Sequence, residues 1–99
     1  MSRKIRRLRQ EIRTIDRRIF QLLARRLNRA RRVGQEKRRA GMPLRNFEVE
    51  AQVVHLARSR SRKLGIDQSL GDELARLLIR AAIAEQEHRT FRTSRVVRR

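Results

Sequence analysis

Two cations eleven residues apart, Arg26 and Lys37, are the side chains of this 99-residue sequence best spaced for chemistry. Eleven residues make about three helical turns, so on one helix both point the same way, about 16 Å apart along the axis. An arginine fork suits a carboxylate and a lysine ammonium donates to a single oxygen, so the pair fits one small dianion. Arg26 also interrupts an apolar series. The 3–4 spacing of Ile5, Leu8, Ile12, Ile15, Ile19 and Leu22 leads to position 26, which is bordered by Leu22, Leu23 and Ala30. A charge in such surroundings needs a partner. A bound anion and a carboxylate from another helix meet that need equally well.

Between the two cations lie Ala30, Val33 and Gly34, a low floor for a ligand. Glycine inside a helix costs about 1 kcal/mol relative to alanine, which implies close approach of something, most simply another helix. Glu50 lies one turn beyond Asn46, in an otherwise apolar run toward Val53 and Val54. Gln86 follows Ile79, Ala82 and Ile83 at spacings of seven, four and three, which places a neutral amide on an inward helix face. Together they add one acid and one amide to the cations. Each alone is equally consistent with a polar group that merely satisfies a helix end.

Three helices must position these groups. Residues 3–40 read as one helix about 57 Å long, ended by Gly41 and Pro43. Asn46 caps a second helix running to about Lys63, with Phe47, Ala51, Val54 and Ala57 inward, and Gly65 closes it. Asp67 or Ser69 caps a third, with Leu70, Leu74, Leu77, Leu78, Ala81 and Ala82 as its stripe and an end expected near Phe91. One domain is expected over residues 1–92, with a basic, disordered tail at 93–99. A compact chain of this size has a radius of gyration of about 13 Å. The first helix therefore outruns its own domain, and its apolar seam calls for a partner along its length. The predicted fold is all-α, an intertwined homodimeric helical bundle.

Composition narrows the chemistry. There is no cysteine, so disulfides, thiolate catalysis and cysteine-based zinc sites are excluded. His55 and His88 lack metal-ligand companions, and no metal or cofactor is expected. No apolar run approaches the roughly 20 residues that span a bilayer, and cytoplasmic residence is the default expectation. Residues 1–40 carry 16 Lys/Arg against 3 Asp/Glu, a net +13 of the chain's +18. Such a field attracts polyanions, whether nucleic acid or a small multiply charged metabolite.

The run LRQEIRTIDRRIFQLLARRLNRARRVGQEKRRAGMPLRNFEVE, followed by GID and LARLLIRAAIAEQ, resembles the all-helical chorismate mutases. The likeness extends over roughly residues 5–90. It is carried by the ordered set Leu8-Arg9, Ile15-Asp16, Arg26, Val33-Gly34, Lys37, Pro43, Arg45, Glu50 and Gln86. It implies an interlaced homodimer with two active sites converting chorismate to prephenate. It further implies that Arg9, Arg26 and Lys37 bind the two substrate carboxylates and that Lys37 and Gln86 meet the ether oxygen. On one rigid helix Arg9 lies about 25 Å and 42 Å from Arg26 and Lys37, so it is expected to reach the site from the other chain of the dimer. Glu50 would take the ring hydroxyl, and Asn46, Val33, Ile79 and Ala82 complete the substrate contacts. Val49, Asn46 and Ala82 stand where some relatives carry arginine, aspartate and serine, which makes this site one cation lighter.

Sister activities on the same fold, isochorismate pyruvate-lyase or aminodeoxychorismate mutase, are the alternatives, and Glu50 favours the mutase. The rival of another class is a basic helical dimer that binds nucleic acid. Against it stand the three aromatics in the whole chain and the inward placement of Arg26, Lys37 and Gln86. Nucleic acid is expected only as a non-specific, salt-sensitive ligand.

Overall fold

The computed structural model of the chain describes residues 2–91, and among them every regular element is a helix. Helix α1 spans Arg3–Ala40, α2 Phe47–Leu64 and α3 Gln68–Gln86. The expected tail at 93–99 lies outside the described residues.

Each boundary has a local cause. The Ser2 hydroxyl accepts from the Ile5 backbone N–H and starts α1. Gly41, at φ 68°, ends it in the left-handed conformation that glycine adopts without strain. Asn46 caps α2 through bonds from the Glu48 and Val49 amides, and Asp67 rather than Ser69 caps α3 by accepting from Leu70.

The end of α3 departs from expectation. The helix stops at Gln86 instead of running toward Phe91, because His88 turns to φ 56° and Arg89 N–H bonds back to the Ala84 carbonyl. Arg38 of α1 fixes this end. Its guanidinium donates to the Gln86 carbonyl at 2.5 Å and lies 2.6 Å from His88 Nε2. No glycine or proline marks the stop, so the sequence carries no local signal for it.

Packing is through small residues. Helix α3 packs on both α1 and α2, while α1 and α2 do not pack on each other. Among the described residues the buried helical positions are Ala30, Gly34, Ser61, Gly71, Ala75 and Ala84. Gly71 is pressed against Ser61 so closely that a Cβ there would collide with the serine hydroxyl. Two expected inward faces are therefore corrected. Phe47 and Ala51 are exposed, whereas Val54 and Ala57 of the same face are half-buried. Leu70, Leu74 and Leu77 point away from the other two helices, leaving Leu78, Ala81 and Ala82 half-buried.

The chain is elongated, 58 × 33 × 29 Å with a radius of gyration of 16.9 Å. No large side chain among the described residues is fully buried. Ile5, Leu8, Ile12, Ile15, Ile19 and Leu22 remain 44–57 % exposed. A single chain thus leaves its main apolar seam in water.

Candidate active site

A groove of about 410 Å³ runs between the C-terminal half of α1, the start of α2 and the end of α3. Helix α1 supplies Arg26, Arg29, Ala30, Val33 and Lys37 to its wall; α2 supplies Val49, Glu50 and Val53, preceded by Leu44 and Asn46 of the loop. Helix α3 closes it with Ile79, Ala82, Ile83 and Gln86. Eight of the nine site residues expected from sequence meet here. Arg9 does not: it lies 17 residues before Arg26 on the same unbroken helix, about 25 Å along the axis.

Lys37 organises the groove. Its half-buried ammonium donates to the Leu44 carbonyl at 2.8 Å and to Gln86 Oε1 at 3.2 Å. The first bond ties the α1–α2 loop down; the second fixes the Gln86 amide. Because the ammonium has only donors, it engages the amide oxygen and leaves the NH2 group for a ligand.

The approach of α3 to α1 depends on Gly34. A Cβ at that position would lie 2.8 Å from the Gln86 Cα and 3.0 Å from its Cβ. The glycine is thus what lets α3 bring Gln86 against Lys37.

Arg26 is half-buried, and its guanidinium donates to the Leu78 carbonyl at 3.1 Å. None of the ion pairs among the described residues includes it. Of the two explanations the sequence left open, an intramolecular carboxylate is not the one realised. One neutral acceptor engages one nitrogen of the fork, and the others remain for an anion in the groove.

Glu50 is held in two contacts by Arg45, at 2.7 and 2.9 Å. That hydrogen bond, with the carboxylate's charge, raises the Arg45 guanidinium above its usual value. Arg45 also lies 4.6 Å above the Phe47 ring. The Asn46 oxygen is spent on capping α2, so only its amide NH2 is left for a ligand.

Arg29 was not expected in the wall. It is one turn from both Arg26 and Val33, a spacing that could have shown it, and its guanidinium donates to Asn28 at 3.0 Å. A wider trough of about 620 Å³ opens between α2 and α3, sharing Glu50 and Ile79 with the groove and rimmed by Arg58, Arg76 and Arg80. It is lined by neither Lys37 nor Gln86, so the narrower groove is the one that holds the convergent donors. No group of three His, Asp or Glu side chains among the described residues is placed to hold a metal ion.

This set of donors on three helices coincides with a family profile, that of chorismate mutase type II, over residues 8–87. The chain belongs to the chorismate mutase type II family. It is 33 % identical over 86 residues to a protein named T-protein from Haemophilus influenzae, and 30 % identical over 86 residues to a T-protein from Enterobacter agglomerans. Each match takes in 87 % of this chain and 23 % of the relative, so the chain spans about a quarter of the length of these curated relatives. No solved structure matches at a significant level. The matched chorismate mutase segment includes Arg9 and every groove residue from Arg26 to Gln86.

Proposed function

We propose that this chain is a chorismate mutase that converts chorismate to prephenate in aromatic amino-acid biosynthesis, working as a homodimer. The convergence of Arg26, Lys37, Glu50 and Gln86 in one groove carries this reading, together with family membership. Chorismate is a small dianion bearing an ether oxygen and a ring hydroxyl, and the groove offers cations, an amide NH2 and a carboxylate.

The rearrangement is unimolecular and pericyclic. It needs no nucleophile and no obligatory proton transfer; it gains from holding the compact diaxial conformer and from stabilising charge on the ether oxygen as its bond to carbon breaks. In this reading Arg26 grips a carboxylate, the Lys37 ammonium and the Gln86 NH2 donate to the ether oxygen, and Glu50 accepts from the ring hydroxyl. Val33, Ile79 and Ala82 shape the apolar walls, and Asn46 donates at the rim. Each donor to the developing oxyanion is worth about two to three orders of magnitude in rate.

Arg9 completes the site from the other chain. The exposed seam from Ile5 to Leu22 supports the pairing, as does the lack of any large buried side chain. Antiparallel packing of two α1 helices about a two-fold axis carries one chain's N-terminal segment past the other's groove. No helix among the described residues is long and apolar enough to cross a membrane. Residence in the cytoplasm is part of this proposal.

The test is to follow the loss of chorismate absorbance with purified protein and to identify the product. Prephenate formation is expected. Turnover of isochorismate but not chorismate would transfer the chain to the lyase activity.

A further inference from the structure

The geometry points to a second binding surface, on the polar side of α1, that takes the phosphate backbone of double-stranded nucleic acid without regard to sequence. This surface is independent of the mutase groove. At 3.6 residues per turn, Arg7, Arg13, Arg17, Arg18, Arg25 and Arg32 fall within an arc of about 140° centred opposite the Ile5–Leu22 seam. All six are exposed, and none takes part in the ion pairs or hydrogen bonds found among the described residues.

Three observations separate this face from general basicity. First, it carries a single acid, Glu36, one turn beyond Arg32 at its C-terminal end and paired with Arg39. The only acidic residues before Glu36 are Glu11 and Asp16, and these sit at the two edges of the apolar seam. Second, the gaps between the arginines on this face are filled by neutral residues, of which Gln10, Gln21 and Asn28 carry amide NH2 groups that donate to phosphate and sugar oxygens, while the Thr14 hydroxyl donates to the Gln10 carbonyl. Third, the helix is continuous, so Arg7 and Arg32 stand about 37 Å apart on a rigid rod. That is close to one turn of a duplex, about 34–36 Å, so phosphates on both sides of a groove come within reach. Arginine forks match phosphate oxygens in two contacts each.

A membrane surface fits less well. A helix lying on a bilayer turns its apolar face into it. Here the apolar seam is on the far side, and the basic face carries nothing larger and apolar than Ala24. With one aromatic on the whole of α1, Phe20, base stacking has no platform, so binding is to the backbone alone.

The experiment measures fluorescence anisotropy of the full chain on a labelled 20-base-pair duplex of mixed sequence, between 50 and 200 mM salt. Six phosphate contacts correspond to a log–log slope of about −5. Arg18→Gln/Arg25→Gln/Arg32→Gln is expected to flatten the slope by nearly 3 and to weaken binding at least about tenfold at 100 mM salt, with helicity unchanged. Lysine at the same three positions keeps the charge and is expected to keep the slope. Arg60→Gln/Arg62→Gln/Lys63→Gln removes the same charge from exposed positions of α2 and is expected to have little effect. Equal losses in the two glutamine triples would overturn the surface in favour of diffuse charge. So would a strong preference between duplexes of unrelated sequence, or binding to phosphatidylserine-containing vesicles with none to the duplex at 100 mM salt.

Discussion

The Lys37 ammonium holds the side-chain oxygen of Gln86 at 3.2 Å, and this one contact orients the amide. A glutamine free to rotate would present oxygen or NH2 to the groove with similar ease. Bonded to Lys37 it presents NH2, the end that stabilises a developing negative oxygen. In the proposed mechanism Lys37 acts twice, as a donor to substrate and as the group that sets the second donor.

Lys37→Ala is therefore expected to lower chorismate turnover by several orders of magnitude, since it removes one donor and releases the other. Gln86→Ala is expected to cost about two to three orders. Circular dichroism should show helicity retained in both. Turnover near wild type in either folded variant would remove that residue from the site.

Gly34→Ala tests how closely α1 and α3 must approach. Alanine gains about 1 kcal/mol of helix propensity, but its Cβ meets backbone of Gln86 at 2.8 Å, and backbone cannot swing aside as a side chain can. Overpacking of this kind costs about 1–3 kcal/mol. A lower melting temperature and at least a tenfold loss of turnover are expected. Wild-type kinetics with raised stability would show that α3 can shift without misplacing Gln86.

Arg9 tests the dimer. Arg9→Ala and Arg26→Ala homodimers are each expected to be nearly inactive, and a co-refolded mixture to recover about a quarter of wild-type activity. In each heterodimer one site collects both substitutions and the other collects both native arginines, and random mixing makes about half of all dimers heterodimers. Native mass spectrometry counts the heterodimers. If they form and activity stays at the level of the parents, Arg9 does not act in trans.

Asp72 gives a pH signature. The hydrogen bond from Arg58, at 3.0 and 3.2 Å, holds its carboxyl below the usual value of 3.8, and the charges of Arg58 and Arg76 act in the same direction. A depressed carboxyl means that the unfolded chain takes up its proton first as pH falls. The stabilisation is complete above about pH 4 and is lost as pH drops below it. Urea midpoints at pH 7 and pH 3 should differ less in Arg58→Gln than in the native protein. An unchanged difference would show that the pair does not couple α2 to α3.

The helices and most of the groove were legible in the sequence because they rest on local rules. Caps at Asn46 and Asp67, stops at Gly41 and Gly65, and a cation lodged in an apolar series at Arg26 all read out over a few turns of chain. The family resemblance then placed Glu50 and Gln86 beside Arg26 and Lys37, and these four do line one groove. What only the tertiary structure decided depends on which helix meets which. Leu70 and Leu74 look like core by periodicity, yet α3 seats itself through Gly71, Ala75 and Ala84, because small residues allow the closest approach of two helices. The early end of α3 likewise comes from Arg38, 48 residues before Gln86 in the chain. Periodicity shows that a face is apolar; only the packed helices show what covers it.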